Sequence, residues 1–236
     1  MKAMILAAGL GTRLAPFTNN HPKALAKVGD RTVMEWNIRY LQSFGIRDVI
    51  VNVHHFAEQI EKAIADASGW GSNVSISDER HVVLETGGGV LKAASFFENE
   101  KAFVVMNVDV LTNFNLTKMI EFHERNAPIV SLAVMHRTSS RYLLFNKENE
   151  LVGWKNEKTG ELKGSRGKAF AFSGIQILTQ EFIHSIKREG KFSLIDAYLD
   201  AVFAKQKILG FDHTGDVFTD IGKPETLAAA SSLFSS

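Results

Sequence analysis

The chain contains no cysteine. That absence excludes a disulfide framework, a zinc–thiolate site, a cysteine-held iron–sulfur cluster and a thiol nucleophile. Proline is scarce, with four in 236 residues, so rigid breaks are few, while 18 glycines provide for several tight loops. An excess of either charge is missing as well. The 27 Lys plus Arg against 26 Asp plus Glu leave a net charge of +1, without the broad basic field of nucleic-acid binders. No stretch approaches the roughly 18 consecutive apolar residues of a membrane span. The opening MKAMILAAGLGTRL breaks at glycines and an arginine, without the small-residue cleavage pattern of a secretory signal. What is present is a composition 45% apolar and 22% charged, sufficient for a real core and too apolar for disorder. These features predict one soluble, cytoplasmic domain over residues 1–236, with no membrane or nucleic-acid partner and with oxygen and nitrogen groups as its chemistry.

Short apolar runs alternate with helix-period segments, the pattern of βαβ units around a largely parallel sheet. Residues 2–8 read as a buried first strand, and 31–44 as a helix with its stripe at Val33, Met34, Ile38 and Leu41, closed by Gly45. Strands are predicted at 48–53, 73–77, 102–108 and 129–135. Helices are predicted over 57–67, from the glycines at 87–89 through Phe97, and over 116–125. From 141 to 155 short β segments alternate with polar turns, which predicts an antiparallel ribbon leaving the main sheet. A strand at 170–178, helices at 180–187 and 194–205, strands at 207–212 and 217–219, and a helix from Pro224 complete the reading.

The segment LAAGLGTRLAPFTNNHPKAL, residues 6–25, follows the first strand directly. Glycines after a strand leave backbone N–H groups free and let an oxyanion approach them closely. Arg13 can grip phosphate oxygens bidentately, and Lys23 adds a mobile point charge. The dinucleotide fingerprint G-x-G-x-x-G fails here, because Leu14 stands where the third glycine belongs. The P-loop string G-x-x-x-x-G-K-[ST] is absent. What remains, G-x-G-T-R-L-x-P-x-T followed by P-K, resembles the signature of the sugar-phosphate nucleotidyltransferases, the nucleoside-diphosphate-sugar pyrophosphorylases.

Three further segments extend that resemblance. VVMNVDV, residues 104–110, ends a buried strand on Asp109, and FTDIGKPETLAAA, residues 218–230, carries Asp220 before a glycine. Asp109 also reads as a helix N-cap, although Asn115 stands closer to that helix. Pro224 suits the first turn of the last helix. LETGGGVLKAA, residues 84–94, looks like the nucleotide-base segment of the short N-acetylmuramate-1-phosphate uridylyltransferases, with Glu85 as a helix cap the alternative reading. Gly174 within FAFSGIQIL suits a sugar ring packed on the backbone and equally a plain bulge. Adjacent His54 and His55 point to opposite faces of a strand and cannot easily share an ion. Ser193 and Asp196 suit the start of a helix.

The resemblance implies a Rossmann-like α/β fold: a mixed, mostly parallel sheet flanked by helices, with a small antiparallel ribbon. It implies Mg²⁺-dependent transfer of a nucleotidyl group from an NTP to a sugar 1-phosphate, releasing pyrophosphate. It places Leu6, Ala8, Gly9, Gly11, Thr12, Arg13, Lys23, Glu85 and Gly88 against the nucleotide, with Arg13 and Lys23 acting in catalysis. Asp109 and Asp220 would hold Mg²⁺, while Asn107, Gly174 and Lys155 would face the sugar phosphate. Two departures stand out. The glycine usual before the first metal aspartate is Val108 here, and the Glu-Lys-Pro string is missing, leaving Lys155 of WKNEK as the candidate. UTP and N-acetylmuramate 1-phosphate, hence cell-wall nucleotide-sugar synthesis, are favoured. Mannose-1-phosphate guanylyl transfer, phosphocholine cytidylyl transfer and a silent nucleotide-sugar-binding regulator are the alternatives. The ending at LFSS predicts no appended β-helix.

Overall fold

The computed structural model describes residues 1–234. The chain begins with β1 (Ala3–Leu6) and passes through single 3-10 turns at Thr12–Leu14, Phe17–Asn19 and Lys23–Leu25. The short pair β2 (Lys27–Val28) and β3 (Arg31–Thr32) leads into α1 (Val33–Ser43). There follow β4 (Asp48–Val53), α2 (Ala57–Asp66), β5 (Asn73–Asp78), α3 (Glu85–Lys92) and β6 (Ala102–Asn107). Next come β7 (Val110–Thr112), α4 (Leu116–Asn126) and β8 (Val130–Met135). β9 (Arg141–Phe145), β10 (Leu151–Asn156) and β11 (Leu162–Gly164) form the antiparallel ribbon. The chain returns through β12 (Lys168–Thr179), α5 (Gln180–Ser185), α6 (Leu194–Phe203), β13 (Ile208–Asp212), β14 (Phe218–Asp220) and α7 (Pro224–Leu233).

The central sheet runs β5-β4-β1-β6-β12-β8-β13, with β12 antiparallel to both neighbours and the other pairs parallel. Side chains alternate across it as a period of two requires. Ile5, Val51, Val104 and Met106 join one buried cluster with Met34 and Ile38 of α1 and Ile60 of α2. Met4, Phe103 and Val105 join the other with Val90 of α3, Phe182 of α5 and Tyr198 of α6. Burial on both faces explains why these strands read as continuous apolar runs. β1, β4, β6 and β8 are co-directional, so their C-terminal ends open at one edge, where α/β sheets hold ligands.

β12 serves two partners on one side, pairing with β6 through Ile175–Thr179 and with β9 through Lys168–Phe170. A bulge between Phe172 and Gln176 lets it turn, and Gly174 occupies it with φ +74°. Some boundaries differ from the sequence expectation. α1 begins at Val33 because the Thr32 hydroxyl accepts from Glu35 N–H at 3.1 Å, while Arg31 and Thr32 belong to β3. The helix expected through Phe97 ends at Lys92, and Ala94–Phe97 tightens into a 3-10 turn. Among the described residues no helix is long and apolar enough to cross a membrane.

Candidate active site

The loop after β1 is anchored at its root. Ala7 and Ala8 N–H donate to Asn52 Oδ1 at 2.7 and 3.3 Å, and Asn52 Nδ2 donates to Glu79 Oε1 at 2.7 Å. Glu79 Oε2 in turn accepts from Leu84 N–H at 3.1 Å, before α3. Asn52 and Glu79 are both buried, so the relay satisfies polar groups that would otherwise be costly. Beyond it the N–H groups of Gly9, Leu10 and Gly11 meet no acceptor among the described residues. This is a row of donors of the kind that receives an anion. Gly11 has φ +65°, and a Cβ there would sit 3.0 Å from Thr18 Cγ2 and 3.2 Å from Lys23 Cβ. Glycine is required at this position on both counts.

Lys23 opens the third 3-10 turn and points back to the sheet edge. Its Nζ donates to Asp109 Oδ2 at 2.5 Å and lies 4.0 Å from Asp220 Oδ1. Asp109 follows β6 by two residues, and its carbonyl accepts from Ile221 N–H at 2.8 Å, which draws the end of β14 alongside. The β7–β14 pairing sets Asp220 opposite Val110. Asp220 Oδ1 is buried and accepts no hydrogen bond. Burial raises the Asp220 carboxyl from its ordinary value, and the Asp109 charge adds to the lift against the pull of Lys23, Arg13 and Arg137. The Arg13 guanidinium lies against Gly222, where a Cβ would stand 3.1 Å from Nη2 and 2.6 Å from Asp220 Oδ1. Arg13 forms no ion pair among the described residues.

Arg13, Lys23 and Asp109 border a cleft of about 430 Å³, lined also by Leu6, Ala8, Gly9, Gly11, Thr12, Glu85 and Asn107 among the predicted residues, while Asp220 lies outside that lining and its segment enters it through Gly222. Val108 also lines it, in ordinary backbone, its carbonyl held by Asn37 Nδ2 at 2.6 Å. Asn52, Val83, Thr86 and Gly222 line it too and were not singled out. Asn52 carried a signal, since it is the one uncharged polar side chain within the apolar run DVIVNV. Ser193 caps α6 as expected, accepting from Ile195 N–H at 3.2 Å, and lines the cleft besides.

Gly88 and Lys155 lie outside this lining, and Glu85 lies in it without capping α3. At Gly88 α3 packs so tightly that a Cβ there would lie 2.1 Å from the Gly190 carbonyl. Gly87 meets the Phe192 ring and Gly89 meets Glu79 in the same manner, so the glycine run serves close packing. Lys155 lies outside the lining, bonded to Glu157 and 5.1 Å above the Tyr142 ring. Glu85 does not cap α3. It holds φ +57° and lies 3.7 Å from Lys191 Nζ at the cleft's lip. Gly174 forms the bulge, and a Cβ there would meet Val110 at 2.8 Å and Asn107 at 2.9 Å. His54 and His55 diverge, the first reaching the Glu79 carbonyl at 2.8 Å and the second lying against Phe56. Asn115 caps α4, so Asp109 is free of that role.

Comparison with known proteins shows the family. The nucleotidyl transferase family matches residues 2–235. The N-acetylmuramate alpha-1-phosphate uridylyltransferase of Neisseria meningitidis is 29% identical over 238 residues, covering 99% of this chain and 98% of its own. The D-glycero-alpha-D-manno-heptose 1-phosphate guanylyltransferase of Campylobacter jejuni is 31% identical, with 95% and 96% covered. The crystal structure of HddC from Yersinia pseudotuberculosis complexed with GMP-PN superposes with a TM-score of 0.81 at 24% identity over 99% of both chains. With its glycine loop, Lys23 and paired aspartates gathered at one sheet edge, the chain belongs to the nucleotidyl transferase family and is a sugar-phosphate nucleotidyltransferase by kind.

Proposed function

We propose that the chain transfers a uridylyl group from UTP to a sugar 1-phosphate in a Mg²⁺-dependent reaction, with N-acetylmuramate 1-phosphate as the acceptor, releasing pyrophosphate. The observation that carries this reading is Lys23 set between Asp109 and Asp220 and lining one cleft with the glycine loop, whose N–H groups are free, and with Arg13, which has no ion pair among the described residues. The full-length likeness to the Neisseria uridylyltransferase supports the substrate. The likeness to the Campylobacter enzyme supports guanylyl transfer as a second reading.

Among the described residues no group of three or more His, Asp or Glu side chains could share an ion. A sparse pair of carboxylates fits Mg²⁺, which retains waters and borrows phosphate oxygens. The buried, unpartnered Asp220 Oδ1 is a ready ligand atom. When bound there, Mg²⁺ would neutralise phosphate charge between the two substrates. In the forward step an acceptor phosphate oxygen bonds to the α-phosphorus as the bond to the bridging oxygen of the β-phosphate breaks, and pyrophosphate departs with that electron pair. The attacking oxygen is already anionic, so no protein nucleophile or strong base is needed. The loop N–H groups and Arg13 hold the leaving pyrophosphate, while Lys23 meets charge building at the α-phosphoryl group. Lys23 must give up Asp109 to do so.

Pyrophosphate release from a panel of NTPs and sugar 1-phosphates with Mg²⁺ tests the reading. UTP with N-acetylmuramate 1-phosphate should give the highest kcat/KM, and GTP with a hexose or heptose phosphate in first place would favour guanylyl transfer. No release with any pair would favour the silent regulator. Asp109→Ala should cut turnover by at least about 100-fold, the scale of a lost transition-state charge contact, with the fold kept by circular dichroism although the loss of the partner of Lys23 lowers stability. Unchanged Mg²⁺-dependent turnover would remove Asp109 from the ion site.

A further inference from the structure

The sheet edge holds a third cation on the side of Asp220 away from the glycine loop. β1, β6 and β8 are co-directional, and Ala8, Asp109 and Arg137 each stand two residues beyond the end of one of them. Arg137 Nη2 donates to the Phe172 carbonyl at 2.8 Å, just before the bulge at Gly174. Its guanidinium centre lies 4.6 Å from the centre of the Phe218 ring. The segment 218–222 therefore carries Arg137 against Phe218, Asp220 in the middle, and Arg13 against Gly222. Arg137 Nε is buried and donates to nothing, and the side chain forms no ion pair among the described residues. A half-buried guanidinium, held by one carbonyl and one ring, has the Asp220 charge near it but no ion pair among the described residues, and Nε is left without an acceptor.

The chemistry of the site needs a cation at this place. In an in-line displacement the acceptor phosphate approaches from the side opposite the leaving pyrophosphate, and the loop and Arg13 serve the leaving side. Lys155, the residue that the sequence offers for the sugar phosphate, is bonded to Glu157 over the Tyr142 ring. We propose that Arg137 is the acceptor-side binding residue, taking the phosphate of the sugar 1-phosphate across Asp220 from Arg13. The assignment rests on the nucleotidyl-transfer reading above. The Phe218 ring lies beside the guanidinium and the Phe172 carbonyl holds Nη2, which leaves Nη1 for a phosphomonoester on an arginine already held at one end.

Steady-state kinetics of the full chain, with the best NTP and sugar 1-phosphate from the panel, test this. Arg137→Met keeps an unbranched stem without the charge, and should raise the acceptor KM about 10- to 100-fold, the weight of a charge-assisted hydrogen bond. The KM for the NTP should stay within about twofold, because the loop and Arg13 are untouched. Arg137→Lys restores charge without the fork and should recover part of the loss. If Arg137→Met fails to fold, the same split in Arg137→Lys decides. An unchanged acceptor KM, or equal rises in both KM values, overturns the proposal. So does a selective acceptor defect in Lys155→Ala without one at Arg137. A wild-type chain that releases no pyrophosphate from any pair removes the transfer reading itself. Turnover indifferent to Arg137 removes only this assignment.

Discussion

Asp220 concentrates the conflict between stability and function at the scale of one residue. Its carboxyl is raised first by burial and then by the charge of Asp109, and one oxygen accepts no bond. A carboxyl whose folded pKa exceeds its unfolded value contributes stability at acid pH, and that contribution is lost as pH rises through the folded pKa. Ionised Asp220 therefore destabilises the ligand-free protein at neutral pH. Asp220→Asn keeps the shape and removes the charge. It should raise the melting temperature at pH 7 to 8 without divalent ions, and the gain should shrink as falling pH protonates wild-type Asp220. Turnover should be lost over the same panel of substrates. Thermal unfolding of both proteins across pH is the measurement, and an Asn variant less stable at neutral pH would mean that Lys23, Arg13 and Arg137 already compensate the charge.

At the scale of elements, α3 shows where sequence reading and structure part. Three consecutive glycines next to a cleft look alike whether they admit a ligand or a neighbouring chain segment, because both uses require only the missing Cβ. Here the segment 190–192 and Glu79 are what they admit. Gly88→Ala should thus destabilise the protein by about 1–3 kcal/mol, the usual cost of overpacking, since backbone at Gly190 must shift. Chemical denaturation measures this directly, and a neutral result would return Gly88 to the ligand. The loop after β1 and the strand-end Asp109 were legible because their residue types, in that order, have few other uses. Arg137 was not, because its meaning depends on β12 running between β6 and β8, a pairing across some 35 residues of chain (137 against 172) that no local pattern encodes. Asn52 lies between these cases: an amide inside an apolar strand announces a buried hydrogen bond, but not that its partners are the root of the loop and Glu79.

At the scale of the molecule, the parallel strands gather their ends at one edge and the chain passes back across it twice, at Gly174 and at Asp220. Both apolar clusters flank that edge, so a ligand bound there is held by loops rooted in each of them. Binding should accordingly stabilise the fold as a whole. A nucleotide at about 100 times its dissociation constant adds about 2.7 kcal/mol, which for a chain of this size shifts the melting temperature by roughly 5–10 °C. UTP with Mg²⁺ should give the larger shift, and UTP with EDTA a smaller one, because the loop and Arg13 can bind phosphate but Asp109 and Asp220 then repel it. Asp109→Ala should bring the Mg²⁺ and EDTA curves together by removing one of the two carboxylates that distinguish them. Equal shifts with UTP and GTP would show that the edge reads phosphate and ion but not the base, and would leave the choice of nucleotide to the acceptor-bound state.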